Sequence, residues 1–188
     1  MPKIYTVSSA VFLGELGVLG GYSFPMAGES NHYEIAFSAL LHEAGVTALA
    51  VEERRRPTLD GLVLKHFDFL VNGLDAVWAL DLKGRKGTPW LTRTDIFSML
   101  GWQQLLRGKA QPAFVFAFCG GGARLHDLDA TDYFTPSVRY RFTLLSLEDA
   151  QRLARPRSKR WGTLGFEWNA FKRHARPLNA FLPVASLA

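Results

Sequence analysis

After residue 30, apolar side chains return every three or four positions, at Tyr33, Ala36, Phe37, Leu40, Leu41 and Ala44. That period predicts a helix over about 32–43, with Asn31 and Gly45 marking its ends. Glu34 lies on the flank of the stripe, so its carboxylate can sit at the edge of a core. The period then shortens. Residues 46–51 are short and apolar, 66–72 and 77–83 alternate, and Gly73, Leu74 and Asp75 read as a hairpin connection between them. A charged, proline-containing loop is expected over 52–64, and a second helix over about 95–107. Residues 113–118 are apolar without a break, as in a strand covered on both faces, and Gly120, Gly121 and Gly122 end it. Residues 138–145 alternate again. Ser146 then reads as the N-cap of a helix whose first turn holds Glu148 and Asp149.

The two ends carry weaker patterns. Residues 1–30 hold no lasting period and predict an irregular arm with one short strand near 4–7. At the other end, 155–160 reads as a basic loop and 165–168 as a short strand. Helix, three strands, helix and strand around one core predict an α/β sandwich. The length of 188 residues suits a single domain over 1–188.

Strand alternation gives the pattern its chemistry. Residues two apart in a strand point the same way. Asp81 and Lys83 therefore share one face, while Trp78, Leu80 and Leu82 fill the other. Asp68 is expected to project opposite Phe67, Phe69 and Val71. A carboxylate among such neighbours is costly to bury unless it is paired or bound to a cation. If the two strands pair, Asp68 and Asp81 converge beside Lys83. Two carboxylates then suit Mg2+, and an ammonium suits a phosphate or an attacking water. The plainer alternative is an Asp–Lys ion pair at a strand end and an Asp at a sheet edge.

Composition changes this picture only at its margins. Hydrophobic residues make up 48% and charged residues 21%, an ordinary globular balance. The single cysteine, Cys119, excludes an intrachain disulfide and a cysteine-built zinc site. The five histidines show no ligand spacing. Glu15 and several glycines interrupt the most apolar early stretch, so no membrane span is expected, and a cytoplasmic location follows by default. Charge is uneven. Residues 1–150 hold 14 basic and 16 acidic side chains, against 8 and 1 in 151–188. A basic end on a mildly acidic body suits a polyanion, most simply nucleic acid, although a solvated basic surface would look the same. Arg85, Lys86 and Arg93, with Arg157, Lys159 and Arg160 farther on, are candidates to track a phosphate backbone, and Arg54, Arg55 and Arg56 could do likewise. Trp161, Trp168 and Phe171 could stack on bases, though core packing or a partner contact accounts for such aromatics more often.

Helical Glu34, then Phe67, Asp68, Phe69, Leu70 and Val71, then Leu80, Asp81, Leu82, Lys83 and Gly84, resembles the core of the PD-(D/E)XK nucleases over about 31–118. The resemblance implies a restriction-endonuclease-like mixed β-sheet flanked by helices. The irregular N-terminal arm would precede that core, and a basic C-terminal extension over 119–188 would continue the sheet. It further implies that Asp68 and Asp81 ligate Mg2+ or Mn2+, with Glu34 completing the shell directly or through water. Lys83 would orient or help deprotonate the water and steady the phosphate. Gln103, on the helix after the Lys83 strand and spaced for its buried face, would match a glutamine that many members carry; Gln104 is slightly worse placed. The implied activity is metal-dependent phosphodiester hydrolysis, on DNA ahead of RNA, with a homodimer suiting a duplex substrate. The alternatives are an inactive nucleic-acid-binding module of the same fold and a protein-interaction module.

Overall fold

The computed structural model describes residues 31–51, 56–120 and 123–184. The expected arm and its strand at 4–7, Arg54, Arg55, Gly121 and Gly122 lie outside the described residues. In chain order the elements are α1 (Asn31–Glu43), β1 (Ala48–Ala50), β2 (Thr58–Leu59), β3 (Leu62–Val63), β4 (Phe69–Asn72) and β5 (Val77–Arg85). Next come β6 (Trp90–Thr92), α2 (Arg93–Leu106), β7 (Gln111–Cys119), α3 (Ala123–His126), β8 (Thr131–Phe134) and β9 (Arg139–Ser146). The chain continues through α4 (Leu147–Leu153), β10 (Arg155–Ser158), β11 (Thr163–Gly165), α5 (Trp168–His174), β12 (Arg176–Pro177) and a 3-10 turn at Leu178–Ala180.

The central sheet runs β1-β4-β5-β7-β9-β12, with β8 also paired to β9. Only β5 and β7 are parallel, so the sheet is mixed. Helix α1 covers one face and α2, α4 and α5 cover the other. This is the mixed α/β architecture that the hydrophobic pattern predicts.

The two faces are filled differently. Ala113, Val115 and Ala117 of β7 point toward α1, where Phe37 and Leu40 fill the space left by these small side chains. Phe114, Phe116 and Phe118 point the other way, into a cluster with Ile96, Met99 and Phe171. Strand β5 alternates in phase. Trp78, Leu80 and Leu82 join the α1 cluster, while Ala79 faces the second cluster, which puts Asp81 and Lys83 on the α2 side.

Several elements depart from the sequence pattern. Within the expected loop over 52–64 lies the small hairpin β2–β3, turned by Asp60 and Gly61, both at positive φ. An Asp-Gly pair between short apolar runs is the local signal for such a turn. The strand expected at 66–72 starts only at Phe69. Phe67 accordingly leaves the face of Phe69 and Val71 and packs in the second cluster beside Trp102. The basic segment 155–160 is not a loop. Its first four residues form β10, which joins β11 and β6 in a separate three-stranded sheet. No strand covers 165–168 beyond Gly165, because the Glu167 side chain accepts from the Asn169 and Ala170 amides and starts α5.

One close approach sets the depth of α1. A Cβ added to Gly84 would lie 2.1 Å from Tyr33 Cδ2 and 2.4 Å from Cε2. The Tyr33 ring is buried, so it lies flat on β5 only because residue 84 has no side chain. Gly84→Ala is expected to cost about 1–3 kcal/mol through overpacking. A lowered urea midpoint at unchanged slope would show it. An unchanged midpoint would mean that α1 does not rest on this contact. Glu34 follows Tyr33 directly, so the same contact governs how near its carboxylate comes to β5.

Candidate functional site

The candidate site opens where β4 leaves β5. Their ladder runs from Asn72–Val77 to Phe69–Leu80. One residue on, the Asp68 amide still donates to the Leu80 carbonyl at 2.8 Å. The next β5 amide, that of Leu82, donates to Asp68 Oδ2 at 2.6 Å, so a side chain replaces the departing strand. The segment before Asp68 is tied to α2 instead. Lys65 N donates to Ser98 Oγ at 2.9 Å, and Trp102 Nε1 donates to the Lys65 carbonyl at 2.7 Å. The gap between the diverging strands is a polar cleft of about 300 Å³.

Asp81 lies on its floor, 4% exposed, with Asp68 lining the cleft beside it. Lys83 Nζ is 2.7 Å from Asp81 Oδ1 and 3.4 Å from Asp95 Oδ1. Lys65 Nζ donates to the same Asp95 oxygen at 2.8 Å. The charges therefore alternate along the line Lys65, Asp95, Lys83 and Asp81, and Asp68 adds a second carboxylate beside Asp81. Glu34 and His66 also line the cleft, as does Arg56, the one residue of its arginine run that lies within the described residues.

Electrostatics follow from burial and order. Burial pushes the Asp81 carboxyl up to about 8; Lys83 opposes this, while Asp68 and Asp95 add repulsion. Burial likewise lifts Asp68 to about 6, with the Leu82 amide and Lys83 opposing and Glu34 adding repulsion. Burial works against the Lys83 ammonium, yet Asp81, Asp95 and Asp68 together hold its pKa above the ordinary lysine value. Asp95 goes the other way. Its burial is outweighed by Lys83, Lys65 and the Thr92 contacts, which hold it down at about 2. Burial and their mutual repulsion thus make both carboxylates harder to ionise than free ones.

Asp95 and Lys65 carry no metal-ligand signature, and the sequence pattern did not single them out. The available signal was Thr92 followed three residues later by Asp95. That pair forms a capping box, with the Thr92 amide donating to Asp95 Oδ2 at 2.7 Å. Oδ2 caps the helix and Oδ1 holds two lysines. Asp95 is thus a positioning residue for Lys83.

The structure corrects the placement of Gln103. It is exposed, as is Gln104, and it does not line the cleft. The α2 residues that bury fully are Asp95, Ile96, Ser98, Met99 and Gly101; beyond them only Trp102 and Leu106 pack against the second cluster, each half-buried, and Gln103 points to solvent. Eight residues past Asp95, Gln103 lies about 12 Å farther along the helix axis. Among the basic candidates, Arg85 is half-buried. It donates to the Trp90 and Gly84 carbonyls and stacks 3.8 Å above the Trp90 ring. Lys86, Arg93, Arg157, Lys159 and Arg160 are exposed. Strand β11 draws the last three toward β6 and Arg93, because Arg93 N donates to the Gly162 carbonyl at 2.9 Å.

A divalent cation fits the chemistry of this donor set. Asp68 and Asp81 offer neighbouring hard oxygens whose mutual repulsion a cation would relieve, and Mg2+ commonly takes one or two carboxylates with waters filling the rest. Among the described residues no group of three or more His, Cys, Asp or Glu side chains converges on one metal position. Glu34 lines the same cleft and repels Asp68 electrostatically. No described helix is long and apolar enough to cross a membrane.

Fold and cleft together define a mixed α/β protein with a buried carboxylate and a lysine on one strand and a second, half-buried carboxylate beside them. No family model matches the chain, and no curated protein matches it. Among solved structures it is similar to Hjc, a Holliday junction resolvase from the archaeal hyperthermophile Archaeoglobus fulgidus. Identity is 10%, the TM-score is 0.47, and the alignment covers 81% of this chain and 93% of that one.

Proposed function

We propose that this chain is a divalent-metal-dependent nuclease that hydrolyses DNA phosphodiester bonds. The observation that supports it best is the pairing of buried Asp81 with half-buried Asp68, with Lys83 Nζ 2.7 Å from Asp81, facing a polar cleft. Asp68 and Asp81 would hold Mg2+ or Mn2+, and Glu34 would reach it through water. The cation, when bound, supplies positive charge against the phosphate and acidifies an attacking water.

The chain's own groups do the positioning. Asp95 and Asp81 grip Lys83 from two sides and keep it an ammonium at neutral pH. Lys83 therefore donates hydrogen bonds to a water or a phosphate oxygen rather than accepting a proton. Asp81 stands on β5, and the Leu82 amide fixes the Asp68 side chain against the same strand, so both carboxylates are held in place, as a preorganised charged site requires. Arg56 and Lys65 place further positive charge at the mouth of the cleft, where a phosphate backbone would enter.

The test is a panel of end-labelled single-stranded, duplex and branched DNA, with RNA counterparts, incubated with the purified chain in Mg2+, Mn2+ or EDTA. DNA cleavage that needs the metal is expected. Cleavage that persists in EDTA, or no product on any substrate, would overturn the reading, and cleavage of RNA alone would move the activity to RNA.

A further inference from the structure

The turn at 159–162 joins β10 to β11 at the tip of the small sheet that also contains β6. It presents Lys159, Arg160 and Trp161 and closes on Gly162 at φ 58. Trp161 is 70% exposed. The other four tryptophans are buried or half-buried, and each has an internal contact. Trp78 packs on Phe181, Trp90 lies under Arg85, Trp102 donates to Lys65, and Trp168 stacks on Phe171. Packing thus accounts for Trp168 and the fully buried Phe171, but not for Trp161.

Charge says what the indole faces. Arg155, Arg157, Lys159 and Arg160 are exposed, and no acidic residue occurs between positions 155 and 166. The Arg160 guanidinium lies 5.1 Å over the Trp161 ring. An exposed aromatic among uncompensated cations complements a chain of alternating bases and phosphates. Its place in the fold ties it to the cleft. Gly162 accepts from the amide of Arg93, which precedes Asp95 by two residues, and Asp95 Oδ1 is 3.4 Å from Lys83 Nζ. Phe97, 62% exposed, lies one helical turn beyond Arg93 and offers a second aromatic surface on that side of α2.

We propose that this hairpin tip binds single-stranded DNA, with Trp161 stacking on an unpaired base of the strand that enters the cleft. The inference rests on the nuclease reading and narrows its substrate class. In continuous duplex both faces of every base are already stacked, so Trp161 finds a partner only where strands are single or branch. The preferred substrate is then DNA with an unpaired segment within a few nucleotides of the scissile bond.

The experiment measures binding by fluorescence anisotropy in EDTA. The probes are a labelled single strand, the matching duplex, a fork with two unpaired arms, and a single-stranded RNA of the same sequence. Trp161→Ala should weaken single-strand and fork binding about 5- to 100-fold, the loss expected for one stacked base, and change duplex binding less than about twofold. Trp161→Phe should recover most of the affinity. Neutralising Arg157, Lys159 and Arg160 together should weaken all DNA forms and flatten the salt dependence. Circular dichroism should show an unchanged fold for Trp161→Ala, since its side chain lies in solvent. Equal binding by Trp161→Ala and wild type, an equal loss on duplex and single strand, no wild-type binding to any probe, or Trp161-dependent binding of RNA alone would each overturn the inference. If metal-dependent cleavage stands while Trp161 proves indifferent, only this inference falls. If the chain cuts nothing, the nuclease reading falls whatever Trp161 does to binding.

Discussion

Asp81→Asn is expected to lower metal-dependent DNA cleavage about a thousandfold or more, and Lys83→Ala about a hundred- to a thousandfold. The first would remove a proposed oxygen ligand at buried Asp81 and leave an amide that binds a hard cation poorly. The second removes the one ammonium held between Asp81 and Asp95, at 2.7 and 3.4 Å. Loss of a single preorganised charge-stabilising donor costs about 3–4 kcal/mol of transition-state stabilisation in well-studied sites. Neither substitution should unfold the domain, because the hydrophobic clusters on both sheet faces remain. Gln103→Ala makes a useful contrast. An exposed side chain away from the cleft should change the rate less than about twofold. Initial rates on one labelled DNA in Mg2+, with thermal melts to confirm folding, give the measurement. Robust cleavage by both purified Asp81 and Lys83 variants would sink the proposed site.

How much of this was legible beforehand depends on the range over which each feature is encoded. Strand alternation is local, so the shared face of Asp81 and Lys83 could be read from Trp78, Leu80 and Leu82 opposite them. Helix α1 was equally plain, since its apolar stripe and terminal Gly45 are written into consecutive residues. The helix-capping role of Asp95 was legible from Thr92, but its grip on Lys65 and Lys83 was not. Those residues come from a segment thirty positions upstream and from a neighbouring strand, and only the divergence of β4 from β5 brings them together. Gln103 failed for a related reason. Periodicity gives a residue's angle around a helix but not its distance along the axis from a cleft at the other end. The hairpin β10–β11 was hidden by its composition, because Arg155, Arg157 and Lys159 carry no apolar alternation. Its strands exist because β6 offers a pairing edge, which is tertiary information.

The metal-free protein should lose stability as pH rises from about 4 to about 8, and divalent cation should restore it at the upper end. Asp81 has its pKa raised from 3.8 to about 8 and Asp68 from 3.8 to about 6 by folding. Between those limits the native state binds more protons than the unfolded chain, so the linkage slope is negative and stability falls with pH. Asp95 works in the opposite sense. Its pKa is lowered to about 2, so its contribution is present above about pH 4 and is lost only as pH falls toward 2. Lys83, raised from 10.5, loses its contribution only above that value. The cleft groups therefore place the metal-free optimum near pH 4. Ionising the buried Asp81 carboxylate is the main cost that rising pH imposes. Because Asp81→Asn also deprives the Lys83 ammonium of its nearer partner, a net gain of only about 2 kcal/mol is expected for that variant at pH 8 in EDTA. Wild type and Asp81→Asn should melt alike near pH 4, where Asp81 is protonated. At pH 8 in EDTA the variant should melt higher, by about 4–8 °C for a domain of this size. Adding Mg2+ or Mn2+ at pH 8 should then raise wild type and leave the variant nearly unmoved, because only a native state that binds the ion gains from it. Parallel melting curves for the two proteins from pH 4 to 8, with no metal response in either, would mean that Asp68 and Asp81 form a structural ion cluster with Lys83 and no cation site.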